Sequence, residues 1–455
     1  MRTWKIDRTQ IFLYVVFFLY FCDVAYFLGI RNPNRFPHPF LVFRNFGDVE
    51  SLRGFTAMLR EVIFSFATGG VSGVAVGALV LYSSRLTQAI LHFLRVALWF
   101  PVLFIFLATA PFISGLTAVT LCSCYHYIGA RSLLGLAARE AWTYAAREAI
   151  LQALFISLIS QLYGEHWRWF GFSILQKPGM GLEVFVTLAA LVTFINWCCR
   201  YDFVVCAQRH VTIRLKPIEG SDWKCNIDFI AGAIVCLAIW QLCSVSPIHF
   251  PKTSAYEALS AAGDLLSGSD IWGDIRLSLL EVIGGILFGG AVALGLFVLL
   301  SGKAILNNLV LPLLPATNIS AVVVWQIVGV LWFQWFGTGF LGYWHKAIAV
   351  ACLSFFPLVQ ILWGLGEKPL IYRILIAIDD ALPIAFIAMI FGEAWAATKG
   401  LGFTVIVTNA TGRGATAIAG LLVTFALMAG LSFTLRWVVK RLYSSVEKTP
   451  QILDA

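Results

Sequence analysis

Long apolar runs, separated by short polar segments, pattern this chain from end to end. An apolar helix of about 20 residues crosses the roughly 30 Å hydrocarbon core of a bilayer. Runs of that kind predict helices over 11–30, 60–82, 91–109, 111–128, 147–163, 183–199, 226–246, 279–300, 309–331, 347–364, 375–392 and 414–435. The pattern therefore predicts an all-α integral membrane protein with about twelve transmembrane helices. The first run is a full span, and no small-residue cleavage site follows Gly29-Ile30-Arg31-Asn32. It is expected to be the first membrane helix and not a signal peptide.

Composition strengthens this picture. Of 455 residues, 60% are hydrophobic and 12% charged, against roughly 25% charged in soluble domains. The net charge of +8 raises the question of nucleic acid, but its distribution points to the lipid bilayer. With the N-terminus inside, the cytoplasmic side is expected to hold 19 of the 32 lysines and arginines, among them Arg2, Lys5, Arg8, Arg85, Arg131, Arg139, Arg147, Arg200, Arg209, Lys303, Lys368, Arg373, Arg436 and Lys440, against 12 on the other side. Such a bias has the sign of the positive-inside rule, giving N-in and C-in termini. Arg31, Arg35, Arg44, Arg53 and Arg60 run against it, in a segment that also carries Asp48, Glu50 and Glu61. Cys122 and Cys124, like Cys198 and Cys199, have neither zinc-site nor disulfide-framework spacing. They are expected to be small buried apolar side chains.

The chain also repeats itself. Leu59-Arg60-Glu61-Val62-Ile63 with Gly69-Gly70 matches Leu279-Leu280-Glu281-Val282-Ile283 with Gly289-Gly290 at a constant offset. Arg35-Phe36-Pro37-His38-Pro39 answers His249-Phe250-Pro251-Lys252, and Gly171-Phe172 answers Gly402-Phe403. A tandem duplication follows, with halves at 1–215 and 216–455, six helices in each and a basic linker around 200–225. An even number of helices keeps both copies in one orientation, as parallel repeats. Gly69, Gly73, Gly77, Gly285, Gly289 and Gly295 recur near small-xxx-small spacing, which serves close helix packing or a sliding interface along a pathway.

Several motifs of the second half occur in a telling order. Phe250-Pro251 precedes an amphipathic stretch ending Trp272-Gly273-Asp274-Ile275-Arg276-Leu277-Ser278-Leu279. Pro312, Pro315, Trp335-Phe336-Gly337-Thr338-Gly339 and Phe355-Phe356-Pro357 come next. Ala381 to Glu393 then leads into Thr398-Lys399-Gly400-Leu401-Gly402-Phe403. From about 250 to 440 the chain resembles permease subunits of ATP-binding-cassette importers, of the group handling nitrate, sulfonates and bicarbonate. The resemblance implies two permease-like halves in a bacterial inner membrane, working with separate ATPase subunits and a soluble solute-binding protein. It also implies a Gly-Leu-Gly-aromatic turn at 400–403. The sequence departs from that family at its motor-docking loop. Gly364 to Asp380 and Gly129 to Arg147 stand in its place, and neither carries the complete coupling motif. Arg131, Arg139, Glu140, Glu367, Lys368 and Arg373 are the residues of those segments that an ATPase would meet.

Ionisable side chains at membrane depth are costly and mark candidate sites. Glu393 stands out at a helix end, as a pathway group, a solvated interfacial carboxylate or a partner of Lys399. Asp379-Asp380 are expected to open the same helix, complementing its dipole, and Glu61 and Glu281 are placed at helix starts. For a small anionic solute the pathway candidates are Glu393, Arg147, Asn318, Gln326 and Gln334, the two glutamines lying roughly on one helix face. Interhelical hydrogen bonding is the competing role for these amides, and the tryptophans suit interfacial belts. No phosphate-binding glycine loop occurs, so ATP hydrolysis is assigned to a separate subunit; no cofactor or metal is implied. A permease-derived scaffold or regulator that has lost its ATPase is the alternative, and a secondary transporter the third possibility.

Overall fold

The computed structural model describes residues 59–83, 111–163, 253–300, 344–365, 368–396 and 399–447, with single helical positions between 56 and 94 and between 208 and 245. Among the described residues every regular element is helical and there is no strand. They fall into two compact units. Helices α1 (Leu59–Val80), α2 (Pro111–Ser132) and α3 (Ala138–Tyr163) belong to the first. The second holds α4 (Ala255–Ser267), α5 (Asp270–Leu300), α6 (Trp344–Gly364), α7 (Leu370–Ala396), α8 (Leu401–Ala410) and α9 (Gly414–Glu447), apart from Leu300 and the first residues of α6.

Four described helices are long and apolar enough to cross a membrane: Leu59–Val80, Asp270–Leu300, Lys346–Gly364 and Gly414–Leu442. The expected spans at 60–82, 111–128, 347–364 and 414–435 lie on observed helices. Three others are longer than their apolar runs. The run at 147–163 belongs to a helix starting at Ala138, that at 279–300 to one starting at Asp270, and that at 375–392 to Leu370–Ala396. Hydropathy marks the length of helix suited to lipid; alanine, leucine and arginine continue the helix into polar surroundings. The runs at 11–30, 183–199 and 309–331, with the Trp335–Gly339 motif, lie outside the described residues.

In the first unit, small residues bring α1 against α2. A Cβ on Gly73 would lie 2.3 Å from the Thr120 carbonyl oxygen, and one on Gly69 would lie 2.9 Å from that of Leu116. Residues Phe66–Gly70 form a π turn within α1. Widening the ladder there changes which carbonyls are free, and the Gly70 carbonyl accepts a 2.7 Å hydrogen bond from Ser123 on α2. Helices α2 and α3 pack as a hairpin around Cys124, Tyr127, Ile128, Ala141, Tyr144 and Ala145, with Ile213 against Gly129. Gly135, at φ +64°, turns the chain between them, a conformation that costs glycine little. Arg131 donates to the Leu136 carbonyl across this turn at 2.6 Å.

The second unit begins with a capping box on α4. The Ser254 hydroxyl accepts from the Glu257 N–H while the Glu257 carboxylate accepts from the Ser254 N–H, so two donors at the helix end are satisfied reciprocally. Ala255, Ala258 and Ala262 are buried on the face of α4 that packs against α9. Gly285 and Gly289 bring α5 against α6, where added Cβ atoms would lie 2.3 Å from Val350 Cβ and 2.8 Å from the Ala351 carbonyl oxygen. Gly290 and Gly295 have open space around them. The described glycine contacts are thus close packing within each unit. Helix α8 is 10 residues long, about 15 Å, half of what a span needs.

Candidate functional site

Asp274, Ser278 and Glu281 stand at i, i+4 and i+7 on α5 and so share one stripe of an otherwise apolar helix. That stripe faces the junction where α7 ends and α8 begins. The first N–H groups of a helix have no partner within it, and here three side chains supply them. Asp274 Oδ1 accepts from the Gly400 N–H at 3.0 Å, and Ser278 Oγ accepts from the Leu401 N–H at 3.0 Å. Glu393 Oε2 accepts from the Gly402 N–H at 2.5 Å. The clamp is cross-braced, since Ser278 Oγ donates to Glu393 Oε1 at 2.5 Å and the Thr404 hydroxyl donates to Asp274 Oδ2 at 3.2 Å.

Gly400 makes this possible. Its φ of +123° reverses the chain into α8, and a Cβ there would stand 2.3 Å from the Glu393 carboxyl. The expected turn at 400–403 is therefore only its first residue: Gly402 and Phe403 are already helical. The carboxylate of Glu393 gains from the positive end of the α8 dipole as well as from its hydrogen bonds.

Behind the clamp lies an ion pair. Lys346 Nζ, at the start of α6, donates to Glu281 Oε1 at 2.9 Å, and both side chains are buried. The Glu281 and Glu393 carboxyls are near enough to act on one another, and Lys346 acts on both. Glu281 is not at a helix start as expected, because α5 begins at Asp270. Glu393 is fully buried, with both oxygens hydrogen-bonded, and Lys399 is exposed. The interfacial carboxylate and the Lys399 partner are both replaced by this network.

Asp379 and Asp380 also stand differently from expectation. They are buried inside α7, which begins at Leu370, so they do not open the helix. Asp379 accepts from Arg436 Nε at 2.9 Å and from the Ser432 hydroxyl, both on α9. Pro383 removes the backbone hydrogen bond that would engage the Asp379 carbonyl. Helix α7 is thus tied to other helices by two carboxylates, Asp379 within it and Glu393 near its end.

The remaining candidates are scattered. Arg147 is buried in the first unit beside Glu148, with which it pairs. Arg131 and Arg373 close the turns at the ends of their hairpins; Arg373 Nε donates to the Lys368 carbonyl at 2.7 Å, and its guanidinium lies over the Phe297 ring. Arg139 and Glu140 are exposed on the first turn of α3. Asn318, Gln326, Gln334 and Glu367 lie outside the described residues. Sequence reasoning missed Lys346 and Ser278. An ionisable residue at the mouth of an apolar run marks Lys346, and the i, i+4, i+7 polar stripe marks Ser278.

Chemically, the cluster holds and orients: the Ser278 hydroxyl that donates to Glu393 also accepts from the Leu401 N–H, so both side chains are engaged in fixing the start of α8. Among the described residues no group of three or more His, Cys, Asp and Glu side chains could hold a metal ion. Comparison with protein-family models, curated proteins and solved structures gives no match.

Proposed function

We propose that the chain is the membrane-spanning permease component of an ATP-driven importer for a small polar, anionic solute of the nitrate or sulfonate kind. Its two halves form an alternating-access pathway in a bacterial inner membrane, with both termini inside. Separate ATP-binding-cassette subunits hydrolyse ATP, and a soluble binding protein delivers the solute. The observation that carries this reading is the clamp of Glu393 on the Gly400–Gly402 backbone, within the stretch from about 250 to 440 that resembles such permeases. A buried carboxylate fixing a half-length helix at one end of a membrane bundle is a device for holding irregular backbone at membrane depth, where such backbone must be enclosed by protein or line a cavity. The order of helices gives secondary support. Both units contain a glycine-lined helix packed on the first member of a tight helical hairpin.

The second reading, a permease-derived scaffold or regulator without an ATPase, has its own observation. The connection between α6 and α7 is only Leu365–Pro369, and Arg373 closes it from within. Co-purification with ATPase subunits from the native membrane separates the two. A complex whose ATPase activity drives solute uptake supports the importer, and Glu393→Gln should then impair uptake while leaving membrane insertion intact. A chain that never associates with an ATPase sinks the importer and leaves the scaffold.

A further inference from the structure

The apolar span of α9 runs over Gly414–Leu442, and one exposed face of the helix changes character near its end. Phe433, Trp437 and Arg441 stand at i, i+4 and i+8, with Lys440 beside Arg441 on the same face, and all four are exposed. A single face thus runs from phenylalanine through tryptophan to two cations. That order suits the edge of a bilayer, where tryptophan sits at headgroup level and long basic side chains reach the phosphates.

Arg441 is not used to hold the protein together. Its guanidinium lies 4.8 Å over the Trp437 ring, and among the described residues its N–H groups meet no acceptor. Guanidinium donors lie in the plane of the group. Stacking on the indole therefore covers one face and leaves the N–H edge open to a phosphate, which arginine meets with two parallel hydrogen bonds. Arg436 and Arg373 differ: the first is taken by Asp379, the second by the Lys368 carbonyl and the Phe297 ring. The local charge is positive, since the nearest acidic residue along α9 is Glu447 at its end, about 9 Å from Arg441 along the axis. Exposed Trp272 and Arg276 on α5 repeat the tryptophan–arginine spacing, but there Asp270 and Asp274 outweigh the single cation.

We propose that the face formed by Phe433, Trp437, Lys440 and Arg441 holds one anionic phospholipid. Arg441 and Lys440 take its headgroup phosphate, and the Trp437 and Phe433 rings lie against its glycerol and acyl chains. Lipid is the occupant because the face continues a membrane span: its apolar half lies in hydrocarbon, and its cationic half stands at the depth of the phosphates. The site requires only that α9 crosses the bilayer, and it stands apart from the importer reading.

The test uses the full chain in detergent micelles, titrated with phosphatidylglycerol or phosphatidylcholine and read by native mass spectrometry. The wild-type protein is expected to retain one phosphatidylglycerol in preference to phosphatidylcholine. Removing each cation should weaken that retention about fivefold, so Lys440→Gln combined with Arg441→Gln should abolish the preference. Trp437→Leu, which takes away the ring under the guanidinium, should weaken it about two- to fivefold. Arg276→Gln, beside the exposed Trp272, should leave it unchanged. Equal retention of the two lipids by the wild-type protein overturns the proposal, and that arm needs no variant. So does a preference that survives in the double variant or is lost equally in Arg276→Gln, and so does displacement of the lipid by excess inorganic phosphate, which would mark a site for the free anion.

Discussion

The hairpins α2–α3 and α6–α7 are built alike and filled differently. Their helices span 22 and 26 residues in one case and 21 and 27 in the other. The connections Leu133–Ala137 and Leu365–Pro369 are equally long, and in each an arginine donates to a carbonyl of the turn. Each hairpin receives a glycine-lined helix against its first member. The first hairpin buries mostly aromatic and small side chains, with Arg147 paired to its chain neighbour Glu148. The second sends its charges outward to separate helices, Lys346 to α5, Glu393 to α5 and α8, and Asp379 to α9. Backbone architecture thus depends on small residues and tight turns; placement of polar groups decides which neighbours are locked to it.

Four experiments test the difference between the two hairpins. The largest effect is expected from Lys346→Met, which leaves Glu281 a buried charge without its ammonium. Removing one member of a buried pair costs about 3–5 kcal/mol, read as loss of stability in denaturant unfolding of the detergent-solubilised protein. Arg147→Met should cost less, since the Glu148 side chain is 21% exposed and can turn to water. Equal losses would erase the distinction drawn between the hairpins.

Glycine substitutions probe what the two have in common. Gly73→Ala and Gly285→Ala each place a methyl group 2.3 Å from an atom of the facing helix. Overpacking of this kind costs about 1–3 kcal/mol, and similar falls in Tm are expected for both. A large loss at one site and none at the other would show that only one seam is tightly fitted.

Ser278→Ala removes a group that both donates to Glu393 and accepts from the Leu401 N–H. A lost cap costs about 1–2 kcal/mol, and hydrogen exchange at the start of α8 should accelerate while that of α2 and α3 is unchanged. Uniform acceleration over the whole chain would mean that the clamp is not local. The smallest stability effect belongs to Arg139→Ala combined with Glu140→Ala, on the exposed first turn of α3. No measurable change in unfolding is expected, but association with ATPase subunits should weaken if these residues dock the motor. Undiminished co-purification would remove them from that role.

Much of the fold was legible because membrane helices advertise themselves. The runs at 60–82, 111–128 and 347–364 match observed helices closely, since lipid requires apolar side chains over a set length. Helix ends were less legible. Asp270 and Leu370 lie beyond the apolar windows, and the short α8 is below spanning length. Glu393, singled out as an ionisable group at a helix end, is fully buried, yet its hydrogen bonds do not go to Lys399, its nearest cation in the chain. The groups that engage it come from Ser278 and the Gly402 backbone. Long-range pairings of this kind leave no local periodicity to read.

Hydropathy and length were enough to predict the long helices found among the described residues, four of them long and apolar enough to cross a membrane, because both are local properties that lipid selects directly. The sequence also marked the small-residue seams and the rarity of charges within apolar runs. That Lys346 balances Glu281, that Asp379 answers Arg436, and that Gly400 reverses the chain so that Glu393 can cap α8 emerged with the packing of the helices. Those choices depend on which helix ends meet in space, and a buried charge takes the partner that is adjacent in three dimensions.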